Sequence, residues 1–438
     1  MPRMKLRRAC AATAWALAAL SCSPLQAQPL RLAKSLCASM TSQVLASQKL
    51  PPLASNAPAG AASNLATADQ LQAQQGAYFA RLDALKPFNG LYATGQADHA
   101  LDDSRLGGRY SVGLEWELYD QGRAESRRQL ERLRADNKAQ YLQMLRDQQA
   151  RQLQENLLAV EQMRNRLLAT LYEREAAAVQ PLLARRKQAL AAGRITKAEF
   201  AEIEYKAERA SLRSRHYGAT KDIVVYPQAR ELVNHIESVV LRPEAELAEL
   251  AAARSPEVQL QAVLAQRSGM LPSVKDHLSV RLYAERAKDF DRGPYNTAGV
   301  RVRVPLDRDT GMDAVAEASQ ALFAQQQESL RIALRQKLAL LADRLRLKQN
   351  DMRVLLAENR MVRTQAESAC YRLDYPVASL PGDPDRDVEE LTLRLHELQR
   401  EILAARLDLL EVLTEIRALV KPREPQELYS LSPPPSPP

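Results

Sequence analysis

Apolar residues recur at steps of three and four along three long stretches of the chain. From about Gly122 to Leu190, with Pro181 as the one helix breaker inside, Leu153, Leu157, Val160, Met163, Leu167 and Leu171 hold one helical face. A helix of this span is on the order of 100 Å long. A second stretch runs from Asp313 to Glu367 with Leu334, Leu338, Leu341, Leu345, Met352 and Leu355 on its seam. The third, Val388 to Leu419, carries Leu391, Leu395, Leu398, Ile402, Leu409 and Ile416. A seam this narrow and this long predicts helices packed as coiled coils.

Ahead of the first two helices the period changes to two. In Tyr110–Leu118 one face reads Tyr, Val, Leu, Trp, Leu and the other Ser, Gly, Glu, Glu; Ala298–Val304 sets Ala and Val against Gly and Arg. An apolar face opposite ionised side chains suits a strand between lipid and a water-filled lumen. A half-buried strand of a soluble sheet is the alternative. Upstream partners are expected in Phe88–Leu101, followed by a polar loop Asp102–Arg109, and in Leu278–Ala284, followed by a loop Lys288–Asn296 rich in Asp, Gly and Pro. The unit strand, loop, strand, long helix thus occurs twice. Moving Gly113 onto Gly299, an offset of 186 residues, brings both long helices into register, the mark of an internal duplication.

The N-terminus adds a destination. Arg3, Lys5, Arg7 and Arg8 precede an apolar stretch Ala9–Leu20 and small residues ending at Ala27, the layout of a secretory signal peptide. Ala19-Leu20-Ser21-Cys22 also passes as a lipobox, so cleavage after Ala27 and lipidation at Cys22 both stand. No later segment is apolar for long enough to span a bilayer as a helix, so a membrane crossing would need β-strands, which require about ten residues each. The net charge of +8 falls to +4 once the four leader cations are set aside, which removes the case for nucleic acid. Cys37 and Cys370 remain as the two certain cysteines beyond the leader, a candidate disulfide in an oxidising compartment or else two small hydrophobes.

Four segments carry a resemblance to the TolC-type outer-membrane factors of efflux pumps and type I secretion systems. They are Val112-Gly113-Leu114 leading into Leu118–Gly122, Ala192-Gly193-Arg194-Ile195-Thr196, Ser255-Pro256-Glu257-Val258 ahead of Leu271-Pro272, and Gly299–Pro305. Their order and spacing match that family from about Leu65 to Leu419. The resemblance implies a mainly α fold with a small β part: long antiparallel helical hairpins forming a periplasmic α-barrel, and four transmembrane strands per protomer in a trimeric barrel. It divides the chain into a signal peptide (1–27), an N-terminal segment and linker (28–64), a first repeat (65–217), a connecting segment (218–254), a second repeat (255–420) and a disordered Pro-rich tail (421–438). The implied partners are two further copies, a periplasmic adaptor, an inner-membrane transporter and outer-membrane lipid.

Candidate residues follow from that frame. Glu115, Glu117, Arg281, Arg301 and Arg303 would line the barrel lumen and pair across strands. Gly193, Arg194 and Thr196 form the tip of the first hairpin, where the family docks an adaptor, with Gly193 expected in a left-handed turn and Thr196 as helix cap. The second hairpin departs from the family and carries a loop from Cys370 to Asp387. Its Asp374, Asp383, Asp385 and Asp387 are candidates for a pore constriction, or for a solvated loop with an Asp cap.

Catalysis has little to work with. The five histidines show no metal-ligand spacing, the two later cysteines form no Cys-x-x-Cys pair, and no phosphate loop or nucleophile elbow is present. No enzyme, cofactor or metal is expected. A periplasmic adaptor or coiled-coil scaffold without a pore is the alternative function, but an adaptor needs Gly-rich β domains that are missing and a scaffold leaves the strand pairs unexplained.

Overall fold

The computed structural model describes residues 34–38, 76–82, 84–99, 108–118, 123–218, 232–270, 278–289, 293–304, 311–375 and 383–431. The signal segment with Cys22, the Pro51–Asn64 linker and the residues after Leu431 lie outside the described residues, whereas the start of the tail expected to be disordered is ordered, its Tyr429–Leu431 pairing with Val239–Leu241. In chain order the elements are α1 (34–38), α2 (76–82), β1 (Leu91–His99), β2 (Gly108–Glu117), α3 (Arg123–Ala191), α4 (Lys197–Gly218) and β3 (Val239–Leu241). Then follow α5 (Glu244–Arg254), α6 (Pro256–Ser268), β4 (Ser279–Asp289), β5 (Gly293–Arg303), α7 (Met312–Asp374), α8 (Pro384–Val420) and β6 (Tyr429–Leu431).

The three heptad stretches are α3, α7 and α8, of 69, 63 and 37 residues. α3 continues through Pro181, giving up a backbone hydrogen bond there. Two expected loops are shorter than their composition suggests. Strands β4 and β5 pair to Asp289↔Gly293, so most of Lys288–Asn296 is strand. Pro294 stands second in β5, one pair from the end of the ladder, where a missing N–H costs least. Likewise Cys370–Asp374 belongs to α7, and α8 begins at Pro384, a position where proline's missing N–H has no helical partner to lose. The start of the expected loop Asp102–Arg109 lies outside the described residues, and Gly108 and Arg109 belong to β2.

Seam residues from different helices meet in two large clusters. Val160, Met163, Leu167 and Leu171 of α3 pack with Leu338, Leu345 and Met352 of α7 and with Ile402, Leu409 and Ile416 of α8. Nearer the hairpin tips, Val179 and Leu182 of α3 join Ile203 of α4, Val362 and Leu373 of α7, and Val388 and Leu395 of α8. Cutting any of these leucines to alanine costs about 2–5 kcal/mol. In this lower half the helices pack in the order α4, α3, α8, α7. In the upper half α6 replaces α8 between α3 and α7, through Leu260 and Val263 against Ala135, Ala139 and Leu142.

Of the two readings of the cysteines, the disulfide is the one present. Cys37 and Cys370 are bonded, with Cα atoms 5.9 Å apart. The bond ties α1 to the lower end of α7, where Leu36 is buried among residues of all four helices and Lys34 pairs with Asp374 at 2.9 Å.

A polar layer interrupts the apolar core between the two clusters. Buried Glu175 of α3 pairs with buried Arg400 of α8, whose guanidinium lies 4.8 Å from the centre of the Tyr172 ring. Nearby on α8, His396 is buried, and its Nε2 has no hydrogen-bond partner among the described residues. Burial, followed by the Arg174 charge, pushes its imidazole down to about 4. As pH falls, the unfolded chain takes up this proton first, near 6.5. The stability associated with neutral His396 is therefore complete above about 6.5 and lost as pH drops towards about 4. Replacing His396 by Leu is expected to remove up to about 3 kcal/mol of acid destabilisation, read as a smaller fall in thermal midpoint on acidification. An unchanged pH profile contradicts a buried neutral imidazole.

Candidate functional site

The two hairpins lie side by side as one antiparallel sheet in the order β1-β2-β4-β5. Alternation through the shared register gives the sheet one polar face and one largely apolar face, the latter carrying Arg286, Lys288 and Asn296 towards its hairpin end. Burial is inverted relative to a soluble sheet. Val112 is 72% exposed and Val300 62%, while Glu117, on the opposite face, is 5% exposed. Tyr110, Leu114, Trp116 and Val302 are exposed as well. The four strands are 9, 10, 11 and 11 residues long, the span of tilted transmembrane strands.

The polar face is held by cross-strand charge pairs. Arg281 donates to Glu117, its register partner, at 2.7 Å and to Glu115 at 3.2 Å. Arg109 reaches Glu285 at 3.3 Å. Arg301 stands opposite Arg281, a like-charge neighbour, and its guanidinium lies 5.7 Å from the centre of the Tyr283 ring. Register puts Arg303 on this face too, opposite Ser279. The five charged residues expected to share a face therefore do so, although only Arg281, Glu115 and Glu117 are joined by ion pairs.

Two glycines on the polar face have roles that the alternation alone did not reveal. A Cβ on Gly113 would sit 2.6 Å from the Ala284 carbonyl oxygen, so glycine lets β2 and β4 approach. Gly299 makes room for the ring of Tyr283, its register partner, whose hydroxyl would lie 2.7 Å from an added Cβ. The available signal was a glycine inside each alternating strand, which marks close approach.

No protein-family model and no curated protein sequence matches the chain. Among solved structures, the outer-membrane channel OprN is 13% identical, with a TM-score of 0.50 over 82% of this chain and 86% of that one. The fold is that of the TolC-type outer-membrane factors. The MtrE outer-membrane channel of Neisseria gonorrhoeae, in its open state, is 14% identical over 90% of this chain and 88% of its own, with a TM-score of 0.45. CusC is 11% identical over 82% of this chain and 88% of its own, also at 0.45.

In this TolC-type fold the first hairpin ends in a compact turn. Gly193 takes φ 68°; Arg194 N–H donates to Ala189 C=O at 2.9 Å and Gly193 N–H to Leu190 C=O at 3.0 Å, a Schellman ending. Thr196 then caps α4 reciprocally: Glu199 N–H donates to the Thr196 hydroxyl at 3.2 Å, and Thr196 N–H donates back to the Glu199 carboxylate at 2.8 Å. Those bonds hold the Glu199 carboxyl below its ordinary range. Arg194 is exposed on the turn.

At the second hairpin one of the four aspartates caps a helix and the other three face cations. Asp383 caps α8 by accepting the Asp385 N–H at 3.1 Å. Asp385 lies 3.7 Å from Arg185, and burial raises its carboxyl despite that charge. Asp387 pairs with Arg372 at 3.3 Å, and Asp374 with Lys34.

The face assignment is open to a direct test. Val300→Lys places a charge on the exposed apolar face and is expected to cost about 2–4 kcal/mol if that face meets mid-membrane lipid. Arg303→Gln, on the polar face, should be tolerated. The fraction of chain recovered as assembled outer-membrane protein reads both, and equal recovery contradicts the assigned faces.

Proposed function

We propose that this chain is one subunit of an outer-membrane channel through which small molecules or secreted substrates leave a tripartite efflux or type I secretion assembly. The observation that carries this reading is the inverted sheet, with apolar side chains exposed on one face and ion-paired, partly buried charges on the other. Such a sheet is unfavourable in water and favourable between lipid and a hydrated lumen. Three copies would bring twelve strands, enough to close a barrel, while the long helices would continue the duct across the periplasm. The chain would reach the envelope by its leader, with cleavage after Ala27 or lipidation at Cys22, and would act as a duct rather than an enzyme. The repeated hairpin-and-helix order is consistent with descent from a duplicated half.

The tip around Gly193, Arg194 and Thr196 is the proposed docking point for a periplasmic adaptor that bridges to an inner-membrane transporter. Exposed backbone in a fixed left-handed turn and a single cation suit a contact read mostly by shape. Asp374, Asp383, Asp385 and Asp387 are proposed to narrow the pore at the same end, with Lys34, Arg185 and Arg372 offsetting part of their negative field. The coiled-coil adaptor or scaffold remains the second reading, favoured only by the helices.

Planar-bilayer recording separates the two. Purified chain in detergent is expected to give stepwise ion conductance, and a preparation that extracts without detergent and conducts nothing contradicts the channel. Gly193→Val or Arg194→Glu should abolish export in cells and leave the bilayer conductance intact. Normal export in both variants contradicts the docking tip.

A further inference from the structure

Charge is distributed unevenly over the polar face of the sheet. Glu115 and Glu117 of β2 are both held by Arg281 of β4, and Glu285 is engaged by Arg109. Arg301 and Arg303 of β5 are exposed, and no carboxylate among the described residues pairs with either. Glu285 stands opposite Thr297, four residues from Arg301 and so about 13 Å away along the ladder. The polar-face positions of β1 that register opposite Glu115, Gly113 and Ser111 are Tyr92, Thr94 and Gln96, none of them charged. A copy of β1 laid against β5 in a closed barrel would bring no counter-ion from these positions. Arg301 also stands directly opposite Arg281, a like-charge placement that opposes sheet stability. The sheet thus carries two uncompensated cations at a cost to its own fold.

An aromatic wall adjoins them. Tyr283 is half-buried, and Gly299, its register partner, leaves the room in which the ring lies: the hydroxyl and two ring carbons are 2.7, 2.9 and 3.1 Å from where a Cβ would stand. The missing side chain therefore lets the ring extend across β5. There the Arg301 guanidinium lies 5.7 Å from its centre. Arg303, two residues on, shares the face about 7 Å away along the strand. Flat apolar surface and unpaired guanidinium charge consequently meet in one patch at the helix end of the sheet.

We infer that Arg301, Arg303 and the Tyr283 ring form a lumenal site for organic anions with a flat aromatic body. The inference rests on the channel reading and adds a substrate class to it. A carboxylate or sulfonate takes the guanidinium donors in paired hydrogen bonds, and the rings of the same solute stack on Tyr283. Confinement between barrel walls strengthens the attraction over that of arginines on an open surface. The aspartates proposed to narrow the pore lie at the far end of the long helices and would repel the same solute, so an anion dwells at the sheet.

Block of single-channel current in planar bilayers reads the site, with 2-naphthalenesulfonate added on the sheet side of the full-length channel. Concentration-dependent block is expected, and methanesulfonate, which lacks the rings, should block more weakly. Losing one charge-assisted contact in Arg301→Gln should raise the half-blocking concentration about tenfold, with Arg301→Lys recovering part of the loss. Each variant is scored against its own open conductance, so a change in assembly does not count as lost block. Native channels that conduct but are not blocked, or block unchanged in Arg301→Gln, overturn the site and leave the channel standing. A native chain that gives no conductance overturns the channel reading and the site with it.

Discussion

Backbone amides at membrane depth have no water to bond, and in the proposed channel that constraint organises everything above the helices. A four-stranded sheet whose outer face is Val112, Leu114, Val300 and Val302 can sit in lipid only if its edge strands β1 and β5 find partners. Four strands curl too little to meet each other. In the proposed channel, partner copies satisfy the edges, and the helices that leave the sheet would follow the same symmetry. The same requirement makes the ion pairs of Arg281 useful: they fix the register of β2 against β4 on the face where charges remain hydrated.

The helical part works by a different balance. α3 and α7 are held by narrow apolar seams. Between the two core clusters, the Glu175–Arg400 pair and His396 form a polar layer that adds little net stability. Such a layer discriminates registers instead, because sliding a leucine into it would strand charges. The Cys37–Cys370 bond closes the lower end and sets α1 into the cluster that joins the two hairpins.

Much of this was legible in the residues. Heptads gave α3, α7 and α8 to within a turn or so at most ends, because a seam of Leu and Ile repeated over tens of residues admits one period. Alternation gave the faces of β2 and β5, since charge and hydrophobe cannot exchange sides without reversing the register. The described ends of Lys288–Asn296 and Cys370–Asp387 were misjudged as loop where Pro, Gly and Asp act as strand and cap residues, roles that depend on neighbours far away in sequence. The docking of α1 was hidden for the same reason, as 333 residues separate its cysteine from Cys370. For the aspartates, spacing showed a cluster, whereas their cation partners come from α1, α3 and α7.

The central claim is that one chain supplies only part of a closed barrel, and native mass spectrometry of the detergent-solubilised full-length chain tests it most directly. A closed barrel predicts a single species at three times the mass of the processed chain, stable when detergent is exchanged. A dominant monomer, or a ladder of open-ended oligomers, contradicts it.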